Sequence, residues 1–120
     1  MSTSSQIQFK NKKGESILIY KHSDGDPERM VPEIREFLEW NKGRNNDLEY
    51  TAANYIFWGK TRDMDPKLGY GICTDKQLNP TVDYAYKVNI ETKEIETFMT
   101  EQGSGPINII WTKVKEWSDK

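Results

Sequence analysis

The stretch QIQFKNKKGESILIY, residues 6–20, decides the fold because it holds two short apolar runs on either side of a turn. Lys13 and Gly14 lie at its centre, and a glycine between two runs rich in β-branched and aromatic residues indicates a β-hairpin. The second run, residues 17–20, is apolar on both faces, which is typical of a central strand covered on at least one side. The sequence therefore predicts that the domain begins with two neighbouring strands of a sheet.

Two helices are predicted to follow this hairpin. Pro32 suits the first turn of a helix, because its missing N–H needs no partner there, and Gly43 suits the helix end. The apolar residues between them recur at helical spacing: Ile34, Phe37 and Leu38. A second helix is predicted over residues 48–60, with Asn46 or Asp47 as its N-cap. Two helices joined by so short a loop form a hairpin that needs an apolar surface beneath it.

The rest of the chain supplies strands for that surface. The segments LGYGICT, residues 68–74, and VDYAYKVNI, residues 82–90, both alternate, and a turn at residues 92–93 leads into EIETFMT. Residues 107–117 fit a strand or a helix, and the β-branched residues of their first half favour a strand. The order ββααβββ, with this optional final strand, predicts an α+β fold in which a two-helix hairpin packs on one face of an antiparallel β-sheet.

The length of the chain indicates one domain, and its charge and hydropathy argue against some classes of partner. At 120 residues we expect a flexible N-terminal tail, residues 1–5, and a single α+β domain, residues 6–117. The formal net charge of −2 gives no attraction to DNA. No apolar run approaches the roughly 18 residues of a membrane span, and the first residues lack the pattern of a secretory signal. We therefore expect a cytoplasmic protein with neither a membrane nor a DNA partner.

The segment YKHSDGDPE, residues 20–28, is the strongest candidate for a functional site. It contains the only histidine of the chain, His22, followed by Asp24 and Asp26 on either side of a glycine. The segment leaves the end of a predicted strand, where a rigid sheet positions loops that often carry function. Asp-Gly and Asp-Pro pairs are also ordinary turn formers. We therefore favour a structural or ligand-orienting role for His22 over direct catalysis.

Two arginines are expected to complete this site. Arg29 and Arg35 follow the loop closely and, with His22 and the two aspartates, form a set of polar groups suited to a small polar ligand. The sequence shows none of the histidine or carboxylate spacings typical of a metal site, so we predict no metal ligands and no cofactor. A separate protein-interaction surface is predicted at Trp40 and Trp58, because tryptophan is enriched at binding hot spots.

Three segments together resemble a family of small proteins from phages, prophages and archaea. They are YKHSDGDP near the start, LGYGI in the middle and VDYAYKVNI afterwards, so the resemblance covers about residues 20–90. Members of the family show a Tyr-x-His-x-Asp-Gly-aromatic-Pro stretch, then a Gly-Tyr-Gly strand and a Tyr-x-Tyr strand. This chain departs from the pattern at Asp26, where an aromatic residue is usual. The family has no established activity, so the resemblance implies a viral or prophage origin and a host-cell cytoplasm rather than a mechanism.

Two classes of function are consistent with these features. The first is a small non-enzymatic binding protein, a host-defence antagonist that blocks a host protein or sequesters a small nucleotide-like ligand through the 20–29 loop. The alternative is a small hydrolase or nuclease that uses His22 with Asp24 or Asp26, with or without a metal ion. We favour the binding protein and leave catalysis open. The sequence does not fix the oligomeric state, and a homodimer is one option.

Overall fold

A computed structural model describes residues 3–22, 24–61, 69–73, 82–102 and 109–113, with the backbone alone for residues 100–102 and 109–113. These residues form six strands and two helices. In chain order they are β1 (Ser5–Lys10), β2 (Ser16–Lys21), α1 (Pro27–Trp40), α2 (Leu48–Lys60), β3 (Tyr70–Ile72), β4 (Tyr84–Asn89), β5 (Ile95–Gln102) and β6 (Ile109–Lys113). The predicted α+β class and the order ββααβββ are confirmed. The strand interpretation of residues 107–117 is confirmed for residues 109–113, and the others lie outside the described residues.

The six strands form one sheet in the order β3-β2-β1-β4-β5-β6. Strands β1 and β2 are the predicted antiparallel hairpin, and their register places Ile7 opposite Ile19. Strand β1 pairs in parallel with β4, so the sheet is mixed, whereas the sequence predicted a purely antiparallel one. The alternation of apolar and polar residues reports which face a strand buries, but it carries no information about the direction of the neighbouring strand.

Helix α1 begins earlier than predicted. Its first residue is Pro27, with Asp26 as the extended N-cap, and Pro32 lies inside the helix. Both prolines suit a helix start by their fixed φ, but Pro27 also ends the tight Asp-Gly-Asp turn, so the helix starts there. Pro32 has no N–H to bond the Glu28 carbonyl one turn earlier, and both residues are exposed. The predicted 20–29 loop is therefore shortened to residues 22–26.

Helix α2 has the predicted bounds, residues 48–60, because the signals for its start are local. Asp47 is the N-cap, and its side chain accepts a hydrogen bond from the backbone N–H of Tyr50 at 3.3 Å. Such a cap satisfies one of the free N–H groups of the first turn and contributes about 1 kcal/mol. Within the described residues, no helix is long and apolar enough to cross a membrane.

The core lies between one face of the sheet and the two helices. Its centre is a set of aromatic rings in contact, in which the Tyr55 ring lies 5.3 Å from Phe9 and 5.1 Å from Phe37, both edge to face. Fully buried aliphatic side chains surround these rings: Ile7, Ile19, Ile34, Val88, Ile90 and Ile95. Edge-to-face aromatic pairs add about 0.5–1.5 kcal/mol each beyond the burial of their area.

The N-terminal residues belong to this fold from Thr3 onward. Ser5 is fully buried as the first residue of β1, and the backbone N–H of Ser4 donates to the Asp83 carboxylate at 3.0 Å. The sequence placed residues 1–5 in a flexible tail because a run of serine and threonine has no apolar side chain to bury. In the structure Thr3, Ser4 and Ser5 are hydrogen-bonded through their backbone to the loop, to residues 83–84 and to β2.

Candidate functional site

The loop between β2 and α1 is fastened to the sheet through Gly25. Its N–H donates to the Thr3 carbonyl at 2.8 Å, and its carbonyl accepts from the Tyr86 hydroxyl at 2.6 Å. A Cβ atom at Gly25 would lie 2.8 Å from the Thr3 carbonyl oxygen and from the Ser5 side chain. Glycine is therefore required here by lack of space, and the loop has a fixed path over the start of β1.

Three predicted ligand-binding residues pair with one another. The Arg29 guanidinium lies 3.3 Å from the Asp24 carboxylate and 3.8 Å from the Asp26 carboxylate. Asp24 has a φ of 57°, in the left-handed region that aspartate tolerates better than most residues. Because Arg29 and Asp24 are both mainly exposed, this ion cluster contributes little to stability. The single arginine is shared by both carboxylates, so one negative charge of the cluster remains unmatched.

His22 is exposed and bonded to a neighbouring tyrosine. Its Nδ1 lies 2.8 Å from the Tyr20 hydroxyl oxygen, and its backbone N–H donates to the Gly69 carbonyl at 2.8 Å. In the part of the chain that the structure describes, Tyr20 is the only side chain that bonds the imidazole, so neither Asp24 nor Asp26 forms a dyad with it. No group of three or more histidine, cysteine or carboxylate side chains among these residues is placed to hold a metal ion.

Arg35, the fifth predicted ligand-binding residue, is not part of the loop. It is exposed on α1, six residues after Arg29. Six residues correspond to about 9 Å along the axis and about 240° around it. The two arginines therefore project from different sides of the helix. Sequence proximity suggested that both would join the site, but the early start of α1 separates them.

Beneath the loop lies a buried ion pair that the sequence analysis missed. Lys21 Nζ is 2.8 Å from a Glu33 carboxylate oxygen, and the Lys21 side chain is only 7% exposed. The same Glu33 oxygen accepts a hydrogen bond from the Tyr55 hydroxyl at 3.3 Å, and the ammonium lies 5.6 Å from the centre of the Tyr70 ring. The sequence did carry a signal for the burial of Lys21. In the alternating pattern of β2, Lys21 falls on the same face of the sheet as Ile17 and Ile19.

Two tyrosines near this ion pair keep their protons over a wide pH range. Burial, followed by the charge of Glu33, raises the pKa of Tyr55 well above its ordinary value of 10.0. Burial, followed by the charge of Asp26, also raises the pKa of Tyr86. Both hydroxyls therefore act as neutral hydrogen-bond donors, one to Glu33 and one to the Gly25 carbonyl. Their role is to hold α1 and the loop in place.

The helical layer exposes three large aromatic side chains on its outer surface. Trp40 is 53% exposed, Tyr50 58% and Phe57 61%, and we call this set the aromatic face. Trp58, by contrast, is 6% exposed and packs on Phe37 with ring centres 5.6 Å apart. The exposed position expected for Trp58 is thus not observed, because the residue faces α1 rather than solvent. The sequence analysis did not name Tyr50 and Phe57 as interaction residues. Both lie on the side of α2 opposite its buried residues.

Two adjoining cavities lie at the other end of the sheet. A cavity of about 710 Å³ lies between the β1–β2 turn, the start of α2 and Glu91. A neighbouring cavity of about 430 Å³ shares Asn46 and Glu91 with it. None of the five predicted ligand-binding residues lines either cavity. The loop residues and these cavities are therefore separate features of the molecule.

Comparison with known proteins gives no assignment for these features. No protein family model, no curated protein and no solved structure matches the chain. The function has to be argued from the surface itself.

Proposed function

We propose that this protein is a non-enzymatic binding protein that docks onto another protein through the aromatic face. The observation that carries the proposal is the exposure of Trp40, Tyr50 and Phe57 by more than half on the outer side of the helical layer. Large aromatic side chains supply most of the binding energy at many protein interfaces. Exposed aromatic clusters of this kind are costly in a monomer and typical of a recognition surface.

Two of the three aromatic residues share one side of α2, and a hydrogen bond links that helix to the end of α1, which carries Trp40. Tyr50 and Phe57 lie two turns apart on the same side of α2, and Asn54 lies between them as the fourth residue after one and the third before the other. The Asn54 amide donates to the side-chain oxygen of Asn41 at 2.9 Å. Asn41 follows Trp40 directly, so this bond holds the end of α1 beside the middle of α2.

Two of these side chains are held in place before a partner arrives. The Trp40 ring lies 6.2 Å from the Phe37 ring of the core, and the Arg44 guanidinium lies 5.6 Å from the centre of the Tyr50 ring. Side chains already restricted in the free protein lose less entropy on binding. The aromatic face is therefore suited to insert into a preformed apolar groove of a partner.

The proposed partner is a protein of the host cell, bound in its cytoplasm. The resemblance of residues 20–90 to small phage and prophage proteins supports this choice, because such proteins commonly block a host component. The loop supports the alternative functions less well. Its two aspartates already pair with its arginine, and its imidazole bonds a tyrosine rather than a carboxylate. No specific observation favours ligand sequestration or hydrolysis at residues 22–26.

The test compares binding by variants of the two surfaces. A host protein captured by the folded chain is purified, and its Kd is measured against Trp40→Ala, Phe57→Ser and the matched control His22→Ala. We expect each aromatic-face variant to weaken binding by about tenfold or more, because each removes an anchor, and the control to change it by less than about twofold.

Two outcomes would overturn the proposal. In one, His22→Ala abolishes binding while Trp40→Ala and Phe57→Ser retain it, which would place recognition in the loop. In the other, the wild-type chain self-associates in analytical ultracentrifugation and Phe57→Ser makes it monomeric. That result would assign the aromatic face to a contact between two copies of this chain.

A further inference from the structure

Three lysines from three separate turns line the cavity of about 430 Å³. Lys12 belongs to the β1–β2 turn, Lys42 to the α1–α2 connection and Lys93 to the β4–β5 turn. Gly43, Asn46 and Glu91 contribute to the same lining. Residues this far apart in sequence come together only in the folded chain. The cavity is therefore a product of the sheet topology rather than of a local lysine run.

The positive charges of this cavity are incompletely neutralised. Among the residues that the structure describes, neither Lys12 nor Lys93 has an ion-pair partner for its ammonium group, and Lys42 lies 3.9 Å from the exposed Glu39. Glu91 is the only acidic residue in the lining, and its carboxylate accepts a hydrogen bond from the Lys12 backbone N–H at 2.9 Å. With Lys42 paired to Glu39, the other two lysines and Glu91 leave one positive charge unmatched.

Hydrogen bonds hold the β4–β5 turn in place, and its Lys93 has an unusual backbone conformation. The Asn89 side-chain oxygen accepts from the N–H groups of Glu91 and Thr92 at 3.0 Å each, and Lys93 N–H donates to the Asn89 carbonyl at 2.7 Å. Lys93 has a φ of 66°, a left-handed conformation that a lysine seldom adopts. Strain of this kind tends to be found at functional sites.

We infer that this cavity binds a small phosphate-bearing ligand. Lysine ammonium groups bind phosphate oxygens as point charges, and Lys12 and Lys93 provide two such groups that have no ion-pair partner among the described residues. The volume of about 430 Å³ lies within the range of small-molecule sites. The site is separate from the aromatic face and does not depend on the function proposed for it.

Pyrophosphate is the probe that tests this inference, in calorimetric titration at low salt. We expect saturable 1:1 binding with a Kd of about 1 mM or tighter, and at least an approximately tenfold loss in Lys12→Gln/Lys93→Gln. The control Lys10→Gln/Lys60→Gln makes the same change in net charge outside both cavities and should bind within about twofold of wild type. Backbone amide shifts confined to the three turns would locate the ligand in the intact chain.

Two results would overturn the inference. One is an absence of saturable binding up to about 10 mM pyrophosphate by the folded wild-type protein. The other is an equal loss of affinity in both double variants, which would attribute the binding to total charge. Trp40→Ala and Phe57→Ser should leave pyrophosphate binding unchanged, so failure here is distinguishable from failure of the protein-docking proposal.

Discussion

Gly25 joins three parts of the chain that are distant in sequence. The loop residue lies between the backbone of Thr3 at the start of β1 and the hydroxyl of Tyr86 on β4. Its hydrogen bonds fix both its N–H and its carbonyl, and the neighbouring Ser5 side chain fills the space where a Cβ atom would be. A single residue without a side chain therefore sets the path of the loop.

Gly25→Ala should destabilise the folded protein by about 1–3 kcal/mol, because the added methyl group meets backbone that cannot move aside easily. Urea unfolding followed by circular dichroism measures this change. Gly71→Ala is the matched control, since open space surrounds that position, and its effect should be within about 0.5 kcal/mol. Equal effects of the two substitutions would show that Gly25 is not confined as described.

For single residues, the sequence predicted those structural roles that depend only on adjacent residues in the chain. The Asp47 cap was one of two residues named for it, and the turn around Gly25 was expected from its aspartates. The burial of Gly25 could not be predicted, because the tyrosine that bonds it is 61 residues away. The burial of Trp58 likewise depends on where α1 lies, which no local pattern specifies.

Helix α1 is held against strand β2 by the ion pair of Lys21 and Glu33. The lysine is almost completely buried, and Glu33 is 22% exposed. A buried pair contributes little net stability, but removal of one partner leaves an uncompensated charge. The pair therefore specifies how the helix sits on the sheet more than it stabilises the fold.

Lys21→Met should cost about 3 kcal/mol, because it leaves the Glu33 carboxylate without its partner. Lys21→Met/Glu33→Gln should recover much of that loss, since the amide is uncharged and still accepts a hydrogen bond from Tyr55. The free energies of unfolding of both single variants and the double variant give the coupling energy. Simple addition of the two single effects would contradict the role assigned to the pair.

The sequence also predicted helix α2 more accurately than helix α1. The start of α2 has one strong cap, whereas two prolines compete for the start of α1, and the tertiary contact at Gly25 favours the earlier one. The parallel pairing of β1 with β4 was not predicted, because both are alternating segments that could pair in either direction. Local signals thus fixed the number of elements and their order, but not the neighbours in the sheet.

For the molecule as a whole, the raised pKa values of Tyr55 and Tyr86 limit the pH range of stability. Both groups have a higher pKa in the folded state than in the unfolded chain, where the ordinary value is 10.0. Their contribution is complete below about pH 10 and decreases above it, as the unfolded state loses protons that the folded state keeps. Alkaline conditions should therefore unfold the protein more readily than neutral ones.

The free energy of unfolding should fall above pH 10 by up to about 1.4 kcal/mol per pH unit for each buried tyrosine. Tyr55→Phe removes one of these groups and should make the slope shallower by about that amount. Urea titrations at closely spaced pH values measure both slopes. Between about pH 7 and 9 the difference between the two proteins should not change with pH, and an identical alkaline slope in both would refute the assignment to Tyr55.

The central position of β1 has a consequence for how this protein is made. Its parallel neighbour β4 enters the sheet through residues synthesised much later, as the bond between Ser4 and Asp83, 79 positions apart, illustrates. Until β3 and β4 have been synthesised, both edges of the first hairpin are open. Open strand edges attract other strands. Slow translation through the middle of the message should therefore lower the yield of native protein, and a chaperone that shields the nascent hairpin should raise it.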